Sequence, residues 1–153
     1  MSLTDKINEH MKEAMRAKDE ARLRGIRAIK SAILLAQSEK GAAEKLTEEK
    51  ESLILQKLLK QRKDSLQIYQ DQNREDLALV EQQEIDVIAQ YMPEMMGEKE
   101  IRSKLESIIE KVGASSPADM GTVMGAAIKE FAGKADGKLI SSVTKELLQT
   151  DRD

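Results

Sequence analysis

The sequence contains no cysteine, no tryptophan, two prolines and one histidine among its 153 residues. Because cysteine is absent, disulfides, thiolate metal sites and cysteine nucleophiles are all excluded. This absence fits the reducing cytoplasm, which is the location we expect. Aromatic residues make up only 2% of the chain, so the core must consist of aliphatic and methionine side chains.

The sequence also has few features of a membrane protein or of a strongly basic protein. Its longest apolar run, Ala32–Ala36, is far too short to cross a bilayer, and its N-terminus is charged rather than an apolar signal segment. We therefore expect no membrane contact. The net charge is −3, whereas dedicated nucleic-acid binders are usually basic. Any RNA contact would come from a local patch and would weaken with salt.

Apolar residues recur at helical spacing along most of the chain, and no sustained alternation predicts a strand. The fold class we predict is all-α, with an N-terminal four-helix part that includes a long helical hairpin, then a small C-terminal three-helix bundle. The first predicted helix begins after Thr4. The other six are expected at about residues 19–38, 47–71, 73–91, 98–112, 117–131 and 137–149.

Two segments interrupt the helical pattern. Residues 39–46 are rich in glycine, alanine, glutamate and lysine, which is typical of a mobile loop. Met92–Gly97 contains one of the two prolines, and we place the domain boundary there. The predicted domains are residues 1–93 and 94–153.

The two helices of the predicted hairpin each carry one charge inside an apolar stripe. Arg62 interrupts the stripe of the third helix, and Glu84 interrupts that of the fourth. If the turn centres on Asn73, which we interpret as a helix cap, antiparallel partners have numbers that sum to 146. Arg62 then faces Glu84, as Leu58 faces Ile88. We therefore expect a structural ion pair that fixes the register of the hairpin.

The second helix carries a stripe of small residues that would let one neighbouring helix approach closely. The members of this stripe are Ala21, Gly25, Ala28, Ala32 and Ala36. A larger apolar face would be buried by other neighbours, and it consists of Leu23, Ile26, Ile33 and Leu34. Arg24, Arg27 and Ser31 remain on a polar strip.

No group of residues indicates a catalytic or metal centre. The single histidine, His10, lies on an amphipathic helix, where a packing or surface role is the usual one. Glu48, Glu49 and Glu51 lie at a helix start, where carboxylates complement the helix dipole, so they do not indicate a metal site. We expect no cofactor, no metal and no catalytic residue.

The most informative segment is residues 113–139, GASSPADMGTVMGAAIKEFAGKADGKL. Ser116, followed by Pro117 and Asp119, predicts a capped helix start, and Ser116 is assigned a structural role. Met120, Met124, Ile128 and Phe131 then recur at helical spacing.

The GKADGK sequence that follows has two interpretations, and both remain open at this stage. As a turn, Gly133 ends one helix and Asp136 caps the next. As a binding element, Lys134 and Lys138 beside a helix start could contact an RNA backbone phosphate. The sequence does not have the spacing of a Walker phosphate loop, so a nucleotide site is not predicted.

Two further basic clusters are candidate RNA contacts in the N-terminal domain. Arg24 and Arg27 belong to one, and Lys57, Lys60 and Lys63 lie on the outer face of the third helix. A solvated charged face is the alternative interpretation of both. Because no aromatic residue lies among them, base stacking is not expected, and contacts to the backbone and to RNA shape remain.

Four motifs, in chain order, resemble those of the YqeY-like family. They are KQRKDS at 60–65, Glu84 followed by YMPE at 91–94, GASSPADMGTVMG from 113, and GKADGK from 133. Methionine stands at position 92, where the family usually has leucine. The C-terminal part is similar to the tail domain of GatB, the B subunit of the tRNA-dependent amidotransferase.

The resemblance implies a non-catalytic helical module associated with tRNA or another structured RNA. In the amidotransferase, the similar tail domain helps to position tRNA while the catalytic centre lies elsewhere in the complex. The catalytic body has no counterpart in this sequence. The residues that the resemblance carries over are Lys134, Asp136, Gly137, Lys138 and the glycines at 113, 121 and 125, with Gly133 opening the same turn.

Two other functions remain as alternatives. A helical protein–protein adaptor is one, because Met92, Met95 and Met96 are adaptable apolar side chains of the kind found on such surfaces. The other is a component of a glutamine-dependent carbon–nitrogen ligase, which is an activity that a description of the family would mention. The partners we consider are therefore RNA and protein.

Overall fold

The computed structural model of the protein describes residues 2–39, 46–131 and 133–150. These residues form seven α-helices and one 3-10 turn, and they include no strand. The predicted all-α fold is therefore confirmed. The chain divides between Met92 and Pro93 into two compact units, each of which is described by itself. Residues 40–45 of the predicted loop lie outside the described residues.

The first unit contains four helices, α1 (Leu3–Ala17), α2 (Glu20–Glu39), α3 (Glu48–Asp71) and α4 (Glu75–Ala89). Ser2, two residues before the predicted Thr4, caps α1 by accepting a hydrogen bond from the backbone N–H of Asp5. Thr47 caps α3 in the same way. Lys18 ends α1 with a left-handed φ of 55°, which lets α2 begin almost directly.

The turn between α3 and α4 differs from the predicted cap. Asn73 has a φ of 56°, and Arg74 stands at the N-cap position instead, where it pairs with Asp76 at 3.1 Å. Asparagine tolerates the left-handed conformation better than most residues because its short polar side chain bonds locally. The antiparallel register is nevertheless the expected one, since Arg62 Nη1 lies 3.4 Å from Glu84 Oε2.

The core of the first unit draws on all four helices but does not extend along the whole hairpin. Its buried members are Leu3, Ile7, Ala14, Leu23, Ile26, Ile29, Ile33, Leu55, Leu58, Val87 and Ile88. No apolar residue from 60 to 86 belongs to this core or packs against it. The end of the hairpin is therefore a two-helix extension beyond the shared core. We call its residues, 64–82, the hairpin tip.

Where the shared core ends, four charged side chains join three helices. Arg62 on α3 lies 3.4 Å from Glu81 and from Glu84 on α4. Arg24 on α2 approaches Glu84 at 4.0 Å and donates a hydrogen bond to Gln83 at 2.7 Å. The Nε atoms of both arginines are buried without a hydrogen-bond partner. We call these residues the arginine–glutamate cluster.

A close contact sets the separation of α2 and α4. A β-carbon at Gly25 would lie 2.6 Å from the β-carbon of Val87, so the predicted small-residue stripe does admit a neighbour here. Leu34 differs from the prediction, because it is 57% exposed rather than part of the buried face. Ile29, which is not part of the predicted apolar face, is fully buried.

The second unit is a bundle of α5 (Glu98–Val112), α6 (Met120–Phe131) and α7 (Gly137–Thr150), with a 3-10 turn at Pro117–Asp119. Its core centres on side chains such as Leu105, Val123 and Phe131, which are almost completely buried. Asp119 accepts a hydrogen bond from the backbone N–H of Ser116 at 3.3 Å. The capped start at Ser116 is thus present, although its first turn is 3-10 rather than α.

The arginine–glutamate cluster predicts an unequal response to two rescue substitutions. Arg62→Met should lower the free energy of unfolding by about 2 kcal/mol, less than the ~3–5 kcal/mol of a fully buried pair, because Arg62 is one-third exposed. Adding Glu81→Leu should restore most of the loss, since Arg62 is the cation that pairs with Glu81. Adding Glu84→Leu instead should restore less, because Glu81 stays unpaired.

Urea denaturation followed by tyrosine fluorescence measures this difference, because both tyrosines, Tyr69 and Tyr91, lie in the first unit. Equal recovery in the two double variants would show that Glu81 does not depend on Arg62.

The contact between α2 and α4 predicts that Gly25→Ala destabilises the first unit by about 1–3 kcal/mol, since overpacking forces neighbouring groups to shift. The matched control is Gly125→Ala in α6, where a β-carbon would meet nothing within 4 Å. Tyrosine fluorescence in urea measures the stability of Gly25→Ala, because both tyrosines lie in the first unit. Circular dichroism measures the stability of the control. A Gly25→Ala protein as stable as the parent would contradict the close packing.

Candidate nucleic-acid interface

The GKADGK turn between α6 and α7 is held on both sides by backbone hydrogen bonds. Gly133 has a φ of 75°, the left-handed conformation that commonly ends a helix. The N–H of Lys134 donates to the carbonyl of Phe131, and its carbonyl accepts from the N–H of Met96, both at 2.8 Å. Ala135 is buried. The glycine and the alanine therefore have structural roles, while the side chain of Lys134 remains exposed.

Asp136 occupies the start of α7, where its Oδ1 accepts a hydrogen bond from the backbone N–H of Lys138 at 3.0 Å. A carboxylate in this position takes the place that a bound anion would need at the helix N-terminus. The groups left to attract phosphate are the side-chain ammonium groups of Lys134 and Lys138. Both lysines are exposed, and neither forms an ion pair within the described ranges.

Two glycines of α6 are exposed, and no close contact within the second unit requires a glycine at either position. Gly121 and Gly125 lie one turn apart, and a β-carbon at either would meet nothing within 4 Å. A glycine inside a helix costs about 1 kcal/mol relative to alanine. Ile128, on the same side of the helix, is 56% exposed. We call Gly121, Gly125 and Ile128 the glycine line.

The remaining glycines carried over by the resemblance differ from each other. Gly113 ends α5 with a φ of 70°, a conformation that favours glycine, so its role is structural. Gly137 is the exposed first residue of α7, and a β-carbon there would meet nothing within 4 Å. Gly137 therefore leaves open space beside Lys138.

Of the basic residues proposed as RNA contacts in the first unit, four are exposed and one is held in side-chain contacts. Lys57, Lys60 and Lys63 are exposed on α3, and Arg27 is exposed on α2; none of them forms an ion pair in the part of the chain that the structure describes. Arg24 is instead held in the arginine–glutamate cluster. The predicted contacts are thus divided between the two units, with Lys134 and Lys138 in the second.

The single histidine makes a structural contact. His10 Nδ1 lies 2.6 Å from the hydroxyl oxygen of Tyr91, which ties α1 to the residues that follow α4. Burial raises the pKa of the Tyr91 hydroxyl above its ordinary value. Across residues 2–39, 46–131 and 133–150, no three acidic or histidine side chains converge as metal ligands would. In the same residues, no helix is both long and apolar enough to span a bilayer.

Comparison with known proteins gives the same relationship as the motifs. A family model described as "Yqey-like protein" matches residues 4–148. "Altered inheritance of mitochondria protein 41, mitochondrial" of Clavispora lusitaniae is 33% identical over 132 residues, 85% of this chain and 74% of the relative. The protein of the same name from Pyrenophora tritici-repentis is 30% identical over 94% of this chain and 79% of its own length.

The names of these relatives describe them as mitochondrial. The cytoplasmic location expected for this chain stays a prediction. Similarity to the amidotransferase tail rests on the motifs. The family match covers nearly the whole chain, including both units. The chain belongs to the YqeY-like family.

Proposed function

We propose that the chain is a non-catalytic accessory module that binds tRNA or another structured RNA through its second unit. The observation that carries the proposal is the glycine line of α6. Two exposed glycines that weaken a helix, and that nothing in the unit requires, are explained if the backbone of another molecule lies against them. The turn with the exposed Lys134 and Lys138 follows at the end of the same helix.

The chemistry of this surface suits a phosphate chain better than a single bound anion. Asp136 fills the helix start, so the second unit presents separate lysines rather than a compact anion site. Phe131 is the only aromatic residue of the second unit, and it is buried. Base stacking on an aromatic side chain of this unit is therefore excluded, and contacts to the backbone and to the shape of a folded RNA remain. The motif resemblance to the amidotransferase tail supports tRNA as the first RNA to test.

Removing the two lysines of the turn should weaken tRNA binding. Lys134→Ala with Lys138→Ala should reduce the affinity about tenfold or more at low salt. The fall of log association constant with log salt concentration should become shallower, by about 2 in slope. Gel shifts over a salt series measure both quantities. The matched control is Lys57→Ala with Lys60→Ala on α3, which removes the same charge from the first unit. Equal losses in the two variants would contradict a contact specific to the turn.

The glycine line predicts that stability and binding change in opposite directions. Gly121→Ala and Gly125→Ala should each stabilise the second unit by up to about 1 kcal/mol, because alanine favours the helix. The same changes should weaken tRNA binding, because the new methyl groups hold the RNA backbone away. Hydrogen exchange of α6 measures the first effect, and gel shifts measure the second. Stabilised variants that bind tRNA as the parent does would remove the reason for the proposal.

A protein–protein adaptor is the second candidate, favoured by the exposed apolar side chains of the first unit. Leu34, Leu35, Ile68 and Leu79 are each more than half exposed. This function involves a different unit and does not compete with RNA binding. Glutamine-dependent amidation of mischarged tRNA by the purified chain alone would contradict the non-catalytic part of the proposal.

A further inference from the structure

The hairpin tip has more apolar surface than two helices can bury. Leu77, Ala78, Leu79 and Val80 are consecutive, and four consecutive residues of an α-helix point around its whole circumference. Ala78 is buried, whereas Leu79 is 59% exposed and Val80 36% exposed. On α3, Ile68 is also more than half exposed. Because the shared core ends before the tip, no other part of that core covers these side chains.

A groove of about 410 Å³ lies between α3 and α4 at the tip. Its apolar lining includes Leu66, Ala78 and Leu79, and its polar lining includes Gln70, Glu75 and Gln82. The volume is at the lower end of the range for ligand pockets, which is enough for a few side chains rather than for a large cofactor. An apolar floor between two helices is the shape that receives the apolar face of an amphipathic helix.

The charge of the tip selects among the molecules that could occupy this groove. Between residues 64 and 79 the sequence has four carboxylates and one guanidinium. The guanidinium, that of Arg74, is already paired with Asp76 at 3.1 Å. A second copy of the chain that docked through its own tip would bring the same negative charge against this surface, and a nucleic acid would also bring negative charge. A positively charged partner is attracted instead.

We propose that the hairpin tip is the docking site for a basic, amphipathic helical segment of another protein. Leucine-like side chains of that segment enter the groove beside Leu79, and its lysines or arginines face Glu75, the carboxylate of the lining. This proposal does not rest on RNA binding, because the tip belongs to the first unit and the RNA surface to the second. The two proposals therefore fail independently.

The test uses the full chain and two synthetic helical peptides of about 15 residues. One has leucines at positions i, i+3, i+4 and i+7 with lysines elsewhere, which is the spacing of a helix in a groove. The other has glutamate in place of each lysine. Fluorescence anisotropy should show saturable binding of the lysine peptide and binding at least tenfold weaker for the glutamate peptide. Failure of the lysine peptide to bind, or equal binding of both peptides, would overturn the proposal.

Leu79→Glu separates docking in the groove from simple attraction of charges. The change removes the apolar contact and adds negative charge, so attraction alone would make the lysine peptide bind more tightly. Docking predicts at least tenfold weaker binding. The matched control is Leu53→Glu near the start of α3, whose side chain is 48% exposed and which should bind the lysine peptide as the parent does.

Three results with Leu79→Glu would overturn the proposal. The first is unchanged or tighter binding of the lysine peptide. The second is the loss of a dimer that the parent forms in sedimentation, which would make a second copy the occupant. The third is loss of tRNA binding, which would make nucleic acid the occupant. Tyrosine-detected melts establish that the variant is folded, and Leu79→Gln carries the same expectation for the lysine peptide if the glutamate variant unfolds.

Discussion

The first unit depends on the arginine–glutamate cluster, because the cluster lies where the four-helix core changes into a two-helix hairpin. Arg24, Arg62, Glu81 and Glu84 tie α2, α3 and α4 together at that level. A partly buried group of charges contributes little to stability compared with apolar residues, but any change of register would leave its members unpaired. The cluster therefore fixes how far the hairpin extends beyond the core, and so how much apolar surface the tip exposes.

The sequence was sufficient to predict the helices and the pairing within the hairpin, because both follow from periodicity along one or two neighbouring segments. Arg62 and Glu84 could be matched by counting from the turn. Glu81 and the contact of Arg24 with Gln83 could not, since they depend on where α2 crosses the hairpin. The expected burial of Leu34 was wrong for a related reason. Helical spacing identifies apolar positions, but the packing of the other helices decides which of them are buried.

In the second unit, the unusual GKADGK sequence proved to be largely structural. Gly133 supplies the left-handed turn, Ala135 fills the core and Asp136 occupies the start of α7. RNA binding by this unit would therefore depend on the side chains of Lys134 and Lys138 and on Gly121 and Gly125. The two lysine side chains are exposed and form no ion pair within the described part of the unit, and the two glycines weaken the helix. A feature that costs stability within the molecule is best explained by what binds from outside.

The most direct measurement of the central claim is a titration of the ¹⁵N-labelled full chain with tRNA, observed by NMR. If the second unit holds RNA through α6 and the following turn, the amide signals of Gly121, Gly125, Lys134 and Lys138 shift or broaden first. The signals of Ile68 and Leu79 at the hairpin tip stay unchanged, because that surface is negatively charged. Perturbations that are confined to the first unit, or that spread evenly over both units, would contradict the account.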